Sequence, residues 1–247
     1  CKEDDILDFD LCFADINGSN IIGVNDEFIS GPRMDNLYSS WCAIESLVAL
    51  KNNPDKFAHL NDVNIVAVFD HEEIGSQTWV GADSEFMHSV CAAIADATGK
   101  GSQAEIAIML RRSLLISADM AHSIHPNYSG IHQANHQPKI NGGVVLKVNP
   151  NGRYTTDAIT GAIAKHVAKT FDVPLNEFIV RQDSACGSTI GPMIASKLGS
   201  LAMDIGAPQL SMHSCRELAG VLDFYYYTQF MGGCFETNLD MVIPRNL

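Results

Sequence analysis

The chain has 247 residues, of which 46% are hydrophobic and 18% are charged, and this composition excludes a disordered protein. Sixteen lysines and arginines stand against 29 aspartates and glutamates, which gives a formal net charge of −13. This excess of negative charge repels nucleic acid and anionic lipid, so we expect neither a nucleic-acid nor a membrane partner. It favours metal cations, because carboxylates are their ligands. No apolar run approaches the roughly 20 residues that cross a bilayer.

The seven cysteines predict reduced thiols rather than a disulfide framework. They are scattered singly, their number is odd, and no Cys-x-x-Cys pair occurs. This pattern is typical of a reducing compartment, and we expect a cytoplasmic protein. Cys186 lies in the glycine-rich segment Cys186–Pro192, which we interpret as a strand-to-helix turn, with a reactive thiol as the alternative.

Apolar runs predict the strands. The first 25 residues contain one candidate, Phe9–Ala14, which is followed by turn-forming residues rather than by a helix. Beyond them, apolar runs predict strands at Val63–Phe69, Ser113–Ala118, Val144–Val148, Glu177–Arg181 and Leu201–Ile205. Continuous apolar strands are typical of sheets that are covered on both faces.

Helical patterns occupy the intervals between these strands. Leu37, Trp41, Ile44 and Val48 repeat at helical spacing, and Asn52–Pro54 ends that helix. Similar repeats predict helices over 86–97, 156–167, 192–198 and 214–230. Strands that alternate with helices predict an α/β fold, with a mainly parallel sheet sandwiched between helices.

Acidic and imidazole side chains follow three of the predicted strands and begin the first helix. In open α/β sheets, ligand-binding groups gather beyond the carboxyl ends of the strands. The side chains at that predicted edge are Asp35, Asp70, Glu72, Glu73, Asp119, His122, His125 and His213. Carboxylates and histidines without cysteine suit a hydrolytic site with two metal ions. The adjacent Glu72 and Glu73 can divide two tasks, since one can bind metal while the other accepts a proton from water.

Taken singly, the same residues have ordinary structural interpretations. A Glu72–Glu73 pair is commonly a solvated loop feature, since acidic side chains are mostly exposed. Asp35 and Asp119 can cap helices, and His213 can be a hydrogen-bonded structural histidine. The metal hypothesis therefore depends on the convergence of the whole set.

Two other features have alternatives. Lys147 interrupts an apolar strand; it either snorkels to the surface or places a cation to meet an anionic substrate. The segment His132–His136 has the histidine spacing of a zinc-binding helix. Gln133 replaces the catalytic glutamate there and the surroundings are polar and turn-rich, so we expect no such helix.

Seven segments, taken as a set and in order, resemble the M18 metallopeptidase family, and within it the aspartyl aminopeptidases. They are Gly31–Asn36, Asp70–Ser76, Ile116–His122, His125–Tyr128, Arg153–Tyr154, Cys186–Pro192 and Pro208–Ser214. The resemblance covers nearly the whole chain. It implies a zinc-peptidase-like catalytic domain over residues 26–247, preceded at 1–25 by the tail of an inserted, β-rich dimerisation domain.

The resemblance also implies a role for each matching residue. Asp35 is implied to bridge two divalent ions, Zn²⁺ in this family, with Glu73 and His213 as further ligands of one ion and Asp119 as a ligand of the other. Glu72 is implied to be the general base. The residues implied to bind the substrate, a peptide with an N-terminal Asp or Glu that the enzyme removes, are Glu72, Asp119, His122, Lys147 and Tyr154.

The family has one more histidine ligand, upstream of its inserted domain, and this sequence begins after both. The resemblance therefore implies that an N-terminal segment supplies that histidine, within a homo-oligomer of dimers assembled into a dodecamer. Two alternatives stay open: a non-catalytic subunit or fragment of such an assembly, and a two-metal aminopeptidase with neutral specificity.

Overall fold

The computed structural model describes residues 2–242, apart from the side chain of Met241. The helices are α1 (Met34–Lys51), α2 (Pro54–Phe57), α3 (Phe86–Ala97), α4 (Gln103–Arg111), α5 (Ala158–Thr170), α6 (Gly191–Leu198), α7 (Val221–Glu236) and α8 (Leu239–Val242), with single 3₁₀ turns at Glu3–Asp5 and Ser129–Ile131. The strands are β1 (Asn20–Ile22), β2 (Phe28–Gly31), β3 (Leu114–Ala118), β4 (Ala121–His122), β5 (Val144–Lys147), β6 (Leu175–Phe178), β7 (Leu201–Gly206), β8 (Pro208–Leu210) and β9 (Glu217–Gly220). Within these described residues, no helix combines the length and apolar character that a bilayer span requires.

The strands form two sheets. One has the order β3-β7-β5-β6, with parallel pairs β3–β7 and β5–β6 and an antiparallel pair β5–β7. The other has the order β1-β2-β9-β8-β4 and is antiparallel except for β4–β8. The predicted α/β class is confirmed, but the sheets are mixed rather than mainly parallel. The second sheet was not predicted, because strands of two to four residues are too short to show a period of two.

The two sheets are joined by a pair of strands that runs from one into the other. Strands β3 and β7 pair in the first sheet, and their continuations β4 and β8 pair in the second. Backbone hydrogen bonds cross the joint, from Asp119 N to Ile205 O at 3.0 Å and from Ala121 N to Ala207 O at 2.9 Å. Asp119 therefore lies where the chain passes between the sheets.

Helices cover both faces of the four-stranded sheet, as predicted. Val144 and Leu146 of β5 pack with residues of α1, α5 and α7 in the main core. Successive side chains of a strand point to opposite faces, so Lys147 of β5 and, by the same alternation in β7, Asp204 belong to the other face. The start of α6 covers that face, because Gly191 lies directly against the Asp204 carboxylate.

Two predicted strands are wrong. Val63–Phe69 is not a strand, because its backbone joins no ladder with any part of the chain between residues 2 and 242. Its valines at 63 and 68 are more than half exposed. Phe9–Ala14 is not a strand either, and the first strand begins only at Asn20.

Two further boundaries differ from the prediction. The strand predicted at 177–181 is β6, which lies two residues earlier because its register against β5 pairs Val144 with Leu175 and Lys147 with Phe178. The helix predicted from 214 begins only at Val221, because β9 occupies Glu217–Gly220 and pairs with both β2 and β8. The short helices α2 and α4 were not predicted.

Helix α1 forms as predicted, but its apolar repeat does not face the core. Leu37, Trp41, Ile44 and Val48 are 46–59% exposed. The opposite side of α1 packs on α7, where Ser46 Oγ donates to the backbone oxygen of Thr228 at 2.8 Å. The helix is therefore apolar on two sides, and the outer side is an uncovered apolar stripe in this structure.

Replacing Gly206 with alanine should destabilise the fold, because this glycine lies at the joint of the sheets. A Cβ there would lie 2.2 Å from the backbone oxygen of Asp119 and 2.9 Å from the backbone nitrogen of Ala121. Overpacking of this kind costs about 1–3 kcal/mol. Urea unfolding measures the change in the free energy of unfolding.

Gly161→Ala is the matched control. Gly161 lies inside α5, and a Cβ there would meet only side-chain carbons at 3.8 Å. Alanine favours helix over glycine by about 0.8–1.0 kcal/mol, so this variant should be as stable as the parent or more so. Equal effects of the two substitutions would show that the joint tolerates a side chain.

Candidate metal centre

Three separate segments bring Asp35, Glu73 and His213 together. Asp35 is in the first turn of α1, shortly after β2; Glu73 follows the extended run 63–69; His213 lies in the loop between β8 and β9. One ligand atom from each of the three residues lies within 4.8 Å of the other two. The Nε2 atom of His213 is 3.1 Å from Asp35 Oδ2 and 3.6 Å from Glu73 Oε2.

Asp119 adds a fourth predicted ligand at the joint between the sheets. Its carboxyl group hydrogen-bonds to that of Asp35 and also accepts a hydrogen bond from Lys147 Nζ at 2.9 Å. Asp35 thus lies between Asp119 on one side and Glu73 and His213 on the other. The capping interpretations are wrong: α1 is kinked at Asp35 and Asn36, no backbone N–H among the described residues donates to the Asp35 carboxylate, and a strand, β4, follows Asp119.

The segments that carry these groups contain backbone conformations that non-glycine residues rarely adopt. Arg33, His71, Ser211 and His213 all have φ values between 57° and 63°, in the left-handed region. Such residues cost of order 1–3 kcal/mol each and persist only where surrounding contacts hold them. They turn the chain sharply just before or at Asp35, Glu72 and His213.

The carboxylates that converge at this site repel each other, and a positive charge or a proton between them relieves that repulsion. Burial, together with the negative charges of Asp119, Glu73 and Glu217, raises the pKa of Asp35 to about 8. Burial opposes ionisation of Asp119 as well, but the ammonium group of Lys147 outweighs it and lowers the pKa of that carboxyl. The Asp35–Asp119 pair therefore shares one proton near neutral pH, and a cation would replace it.

The donor set fits Zn²⁺. Zinc is bound by imidazole nitrogen and carboxylate oxygen, and Asp35, Glu73 and His213 supply one nitrogen and two carboxylates at one point. Asp35 is also within reach of Asp119, as a carboxylate that bridges two ions must be.

Glu72 lies beside this group on the same exposed loop as Glu73. Partial desolvation of its carboxyl raises its pKa, the charges of Asp119 and Glu73 raise it further, and those of His213 and Lys147 oppose them. A raised pKa makes a carboxylate a better proton acceptor, which suits a general base.

Lys147 contacts Asp119, and Tyr154 lies next to Lys147. Lys147 is only 3% exposed, so the snorkelling interpretation is wrong, and its Nζ is 5.5 Å from the centre of the Tyr154 ring. Burial and a hydrogen bond with Cys186 raise the pKa of Tyr154. His122 is on β4, where burial and the neighbouring charge of Lys147 lower its pKa.

Asp204, which the sequence analysis missed, holds the loop of Tyr154 in place. This fully buried carboxylate accepts hydrogen bonds from Thr155 N and Thr155 Oγ1, both at 2.6 Å, and from Thr189 Oγ1 at 2.6 Å. It joins the loop after Arg153 to the glycine-rich segment before α6. An acidic residue inside an apolar strand was the available signal.

Glu217, also missed, lies under the centre of the site. It is 2% exposed, and its two carboxylate oxygens accept hydrogen bonds from Asp35 N at 2.9 Å and from His213 N at 2.8 Å. The sequence placed it inside a predicted helix, which concealed it.

Other predicted edge residues make their bonds elsewhere. Asp70 accepts a hydrogen bond from His71 N, and His125 accepts one from Asn127 N, within their own loops. The segment His132–His136 is not helical: His132 bonds to the backbone oxygen of His122, and His136 pairs with Glu177.

Comparison with known proteins identifies a family and shows that its solved structures share this fold. Residues 1–235 match the family model described as "Aminopeptidase I zinc metalloprotease (M18)". The chain is 44% identical over 242 residues to an aspartyl aminopeptidase of Caenorhabditis elegans, which covers 96% of this chain and 49% of that protein. It is 41% identical over 249 residues to a probable aspartyl aminopeptidase of Ricinus communis, covering 100% of this chain and 50% of that protein. The chain belongs to the M18 family.

Solved structures of relatives share the fold. A chain in the cryo-EM structure of the Ape4 and Nbr1 complex superimposes with a TM-score of 0.88 at 40% identity, covering 94% of this chain and 44% of that one. The S. cerevisiae mApe1 dodecamer gives a TM-score of 0.78 at 28% identity, covering 93% of this chain and 50% of that one. The chain spans about half the length of these relatives.

Zinc affinity should rise with pH between pH 7 and pH 8. Zinc must displace the proton that Asp35 and Asp119 share, and with a pKa of about 8 the ionised fraction of Asp35 grows roughly fivefold over this interval. Competition with a chelator of known pH dependence measures the affinity, and a pH-independent affinity would contradict the shared proton.

Proposed function

We propose that this chain carries the metal centre of a two-zinc aminopeptidase that removes N-terminal Asp or Glu from peptides. The observation that carries the proposal is the convergence of Asp35, Glu73 and His213 from three separate segments, with Asp119 beside Asp35. The names of the relatives support the reaction and the acidic specificity. Because the chain spans about half of each relative, the reaction and the acidic specificity are both part of the proposal.

In this proposal the four side chains divide between two ions. Asp35 would be shared by both ions, Glu73 and His213 would complete one site, and Asp119 would contribute to the other. Zinc, when bound, polarises the scissile carbonyl and lowers the pKa of a water molecule. The second site has fewer ligands from this chain, so we expect it to bind zinc more weakly.

Glu72 acts as the general base. Its carboxylate lies next to the ligand Glu73, and its raised pKa makes it a better proton acceptor than an ordinary exposed glutamate. It accepts a proton from the attacking water and delivers that proton to the leaving amine. The peptide bond breaks with no net change in the protonation of Glu72.

The substrate's terminal residue is held on the far side of Asp119. Lys147 contacts Asp119, Tyr154 lies next to Lys147, and His122 is on β4 just after Asp119; Lys147 is the buried cation of the group. A carboxylate side chain of the substrate can accept a hydrogen bond from Lys147 Nζ, while neutral side chains cannot. Glu72 and Asp119 complete the binding surface.

Two regions of this chain support a larger assembly. The exposed stripe of α1 and the unpaired run 63–69 offer apolar surface and backbone groups that further polypeptide can cover. We propose that residues 26–247 belong to the catalytic domain and residues 1–25 to a dimerisation domain, that a further N-terminal segment supplies a histidine to the Asp119 ion, and that the protein is a cytoplasmic homo-oligomer. The S. cerevisiae relative is a dodecamer.

A non-catalytic subunit is the second candidate. It is favoured by the contact between Lys147 and Asp119, which leaves that carboxylate partly neutralised without a metal ion. The two candidates differ in turnover: a zinc-loaded catalytic protein hydrolyses an N-terminal Asp peptide, whereas a non-catalytic subunit binds zinc without turnover.

Replacing Glu72 with glutamine should abolish most turnover without removing zinc. Loss of a general base typically lowers kcat by about 10²–10⁴-fold. The measurement is hydrolysis of an N-terminal Asp peptide by the zinc-loaded protein, with zinc content determined on the same samples. Glu45→Gln, which neutralises an exposed carboxylate on α1, should leave both unchanged. Loss of zinc from the Glu72 variant would make Glu72 a ligand instead of a base.

Replacing Lys147 with methionine should reduce acidic specificity selectively. A hydrogen bond to a charged group is worth about 1.5–3 kcal/mol, so kcat/KM for an N-terminal Asp peptide should fall roughly 10–150-fold. The same peptide with N-terminal Asn, which has the same shape without the charge, should lose far less.

Lys165→Met is the control for that substitution, because Lys165 is an exposed lysine paired with Glu177. It should leave kcat/KM for both peptides unchanged. Equal losses for the Asp and Asn peptides in the Lys147 variant would show that Lys147 acts through Asp119 rather than on the substrate.

A further inference from the structure

We propose that Glu217 is a positioning residue for the metal centre, whose buried carboxylate fixes the backbone of two proposed zinc ligands at once. The inference rests on the proposed function, since it takes Asp35 and His213 to be those ligands. Glu217 itself binds no ion in this proposal.

The position of Glu217 connects the two ligand-bearing segments. It is on β9, where it pairs with Gly31 at the end of β2, and β2 leads directly into the turn that carries Asp35. The loop that carries His213 enters β9 at Glu217. A side chain at this point is therefore close to both segments.

Its hydrogen bonds show what it holds. One carboxylate oxygen accepts from Asp35 N at 2.9 Å, and the other accepts from His213 N at 2.8 Å. His213 has a φ of 63°, a left-handed conformation that a non-glycine residue adopts only when other contacts hold it. The bond from its N–H to Glu217 is such a contact, and it sets the direction in which the imidazole points.

The charge of Glu217 also argues for a role beyond packing. A buried carboxylate is costly unless it is compensated, and within residues 2–242 no ion pair to Glu217 is present. The neighbouring Arg216 bonds instead to Asp15 and to the backbone oxygens of Gly18 and Ser30. A cation held by Asp35 and His213 would supply the missing compensation, because those residues are the direct neighbours of the carboxylate.

Asp223 is a second buried carboxylate that accepts two backbone N–H groups, but it lies away from the candidate site. It is 1% exposed, near the start of α7, and accepts hydrogen bonds from Asn141 N at 2.5 Å and Gly143 N at 2.8 Å. Like Glu217 it accepts two backbone N–H groups, but both belong to the single turn Asn141–Gly143, which carries no proposed ligand. Asp223→Asn is therefore the matched control for Glu217→Gln.

The experiment compares zinc binding by the parent protein, Glu217→Gln and Asp223→Asn. A glutamine keeps the size of the side chain but has only one accepting oxygen, so one of the two N–H groups loses its partner. Removing a partner that orients a metal ligand typically lowers metal affinity about 10–100-fold. We expect that loss for Glu217→Gln, measured by competition with a chromophoric chelator, and a change below about threefold for Asp223→Asn.

A second readout separates positioning from general loosening of the fold. Co²⁺ bound in place of zinc has visible absorption bands that depend on the geometry of its ligands. Glu217→Gln should change these bands, and Asp223→Asn should leave them as in the parent protein. If Glu217→Gln does not fold without metal, Glu217→Asp, which keeps the charge but is one methylene shorter, takes its place with the same expected direction.

Each outcome is decisive. Parental zinc affinity and parental cobalt spectrum in the Glu217 variant would overturn the inference while leaving the proposed function intact. Equal losses of affinity in both variants would also overturn it, since they would show a general effect of buried carboxylates. A parent protein that binds no zinc would instead remove the proposed function itself.

Discussion

Carboxylates that converge on one point repel each other, and the joint between the two sheets brings Asp35, Asp119 and Glu73 together above the buried Glu217. Several features of the site reduce this repulsion. Lys147 donates a hydrogen bond to Asp119, a proton or a cation neutralises Asp35, and backbone N–H groups donate hydrogen bonds to Glu217. Packing of the surrounding core must hold these carboxylates together, because their mutual repulsion alone would push them apart.

The joint explains why the site forms where it does. Strands β3 and β7 leave one sheet and pair again as β4 and β8 in the next, so the chain must bend at Asp119 without losing its backbone hydrogen bonds. Such a bend exposes the ends of strands from two sheets on one side. Loops from β2, β8 and the run after residue 63 reach that side, and each contributes one of the proposed ligands Asp35, His213 and Glu73.

The arrangement of buried charge divides the site into two parts with different supports. Glu217 holds the Asp35 and His213 segments from within the five-stranded sheet. Asp204 holds the Tyr154 loop and the segment before α6 from within the four-stranded sheet. The proposed metal ligands and the proposed substrate-binding residues thus depend on different buried carboxylates, and they meet only at Asp119 and Lys147.

The sequence by itself determined the α/β class, the helices with clear caps or periodicity, and the residue types of the site. Periodicity and turn residues act locally, so α1, α3, α5 and α6 could be placed from neighbouring residues alone. The resemblance of seven short segments to one family named the candidate site residues, because those segments are specific as an ordered set.

Only the tertiary structure decided which apolar runs pair and how the charged groups face each other. Val63–Phe69 has the composition of a strand, but a strand exists only where another backbone completes its hydrogen bonds, and composition cannot supply that partner. Glu217 and Asp204 are ordinary acidic residues in the sequence. They become buried acceptors only because residues such as Asp35, more than 180 positions away from Glu217, donate their N–H groups to them. Contacts over such separations arise from the packing of the two sheets, which no local pattern encodes.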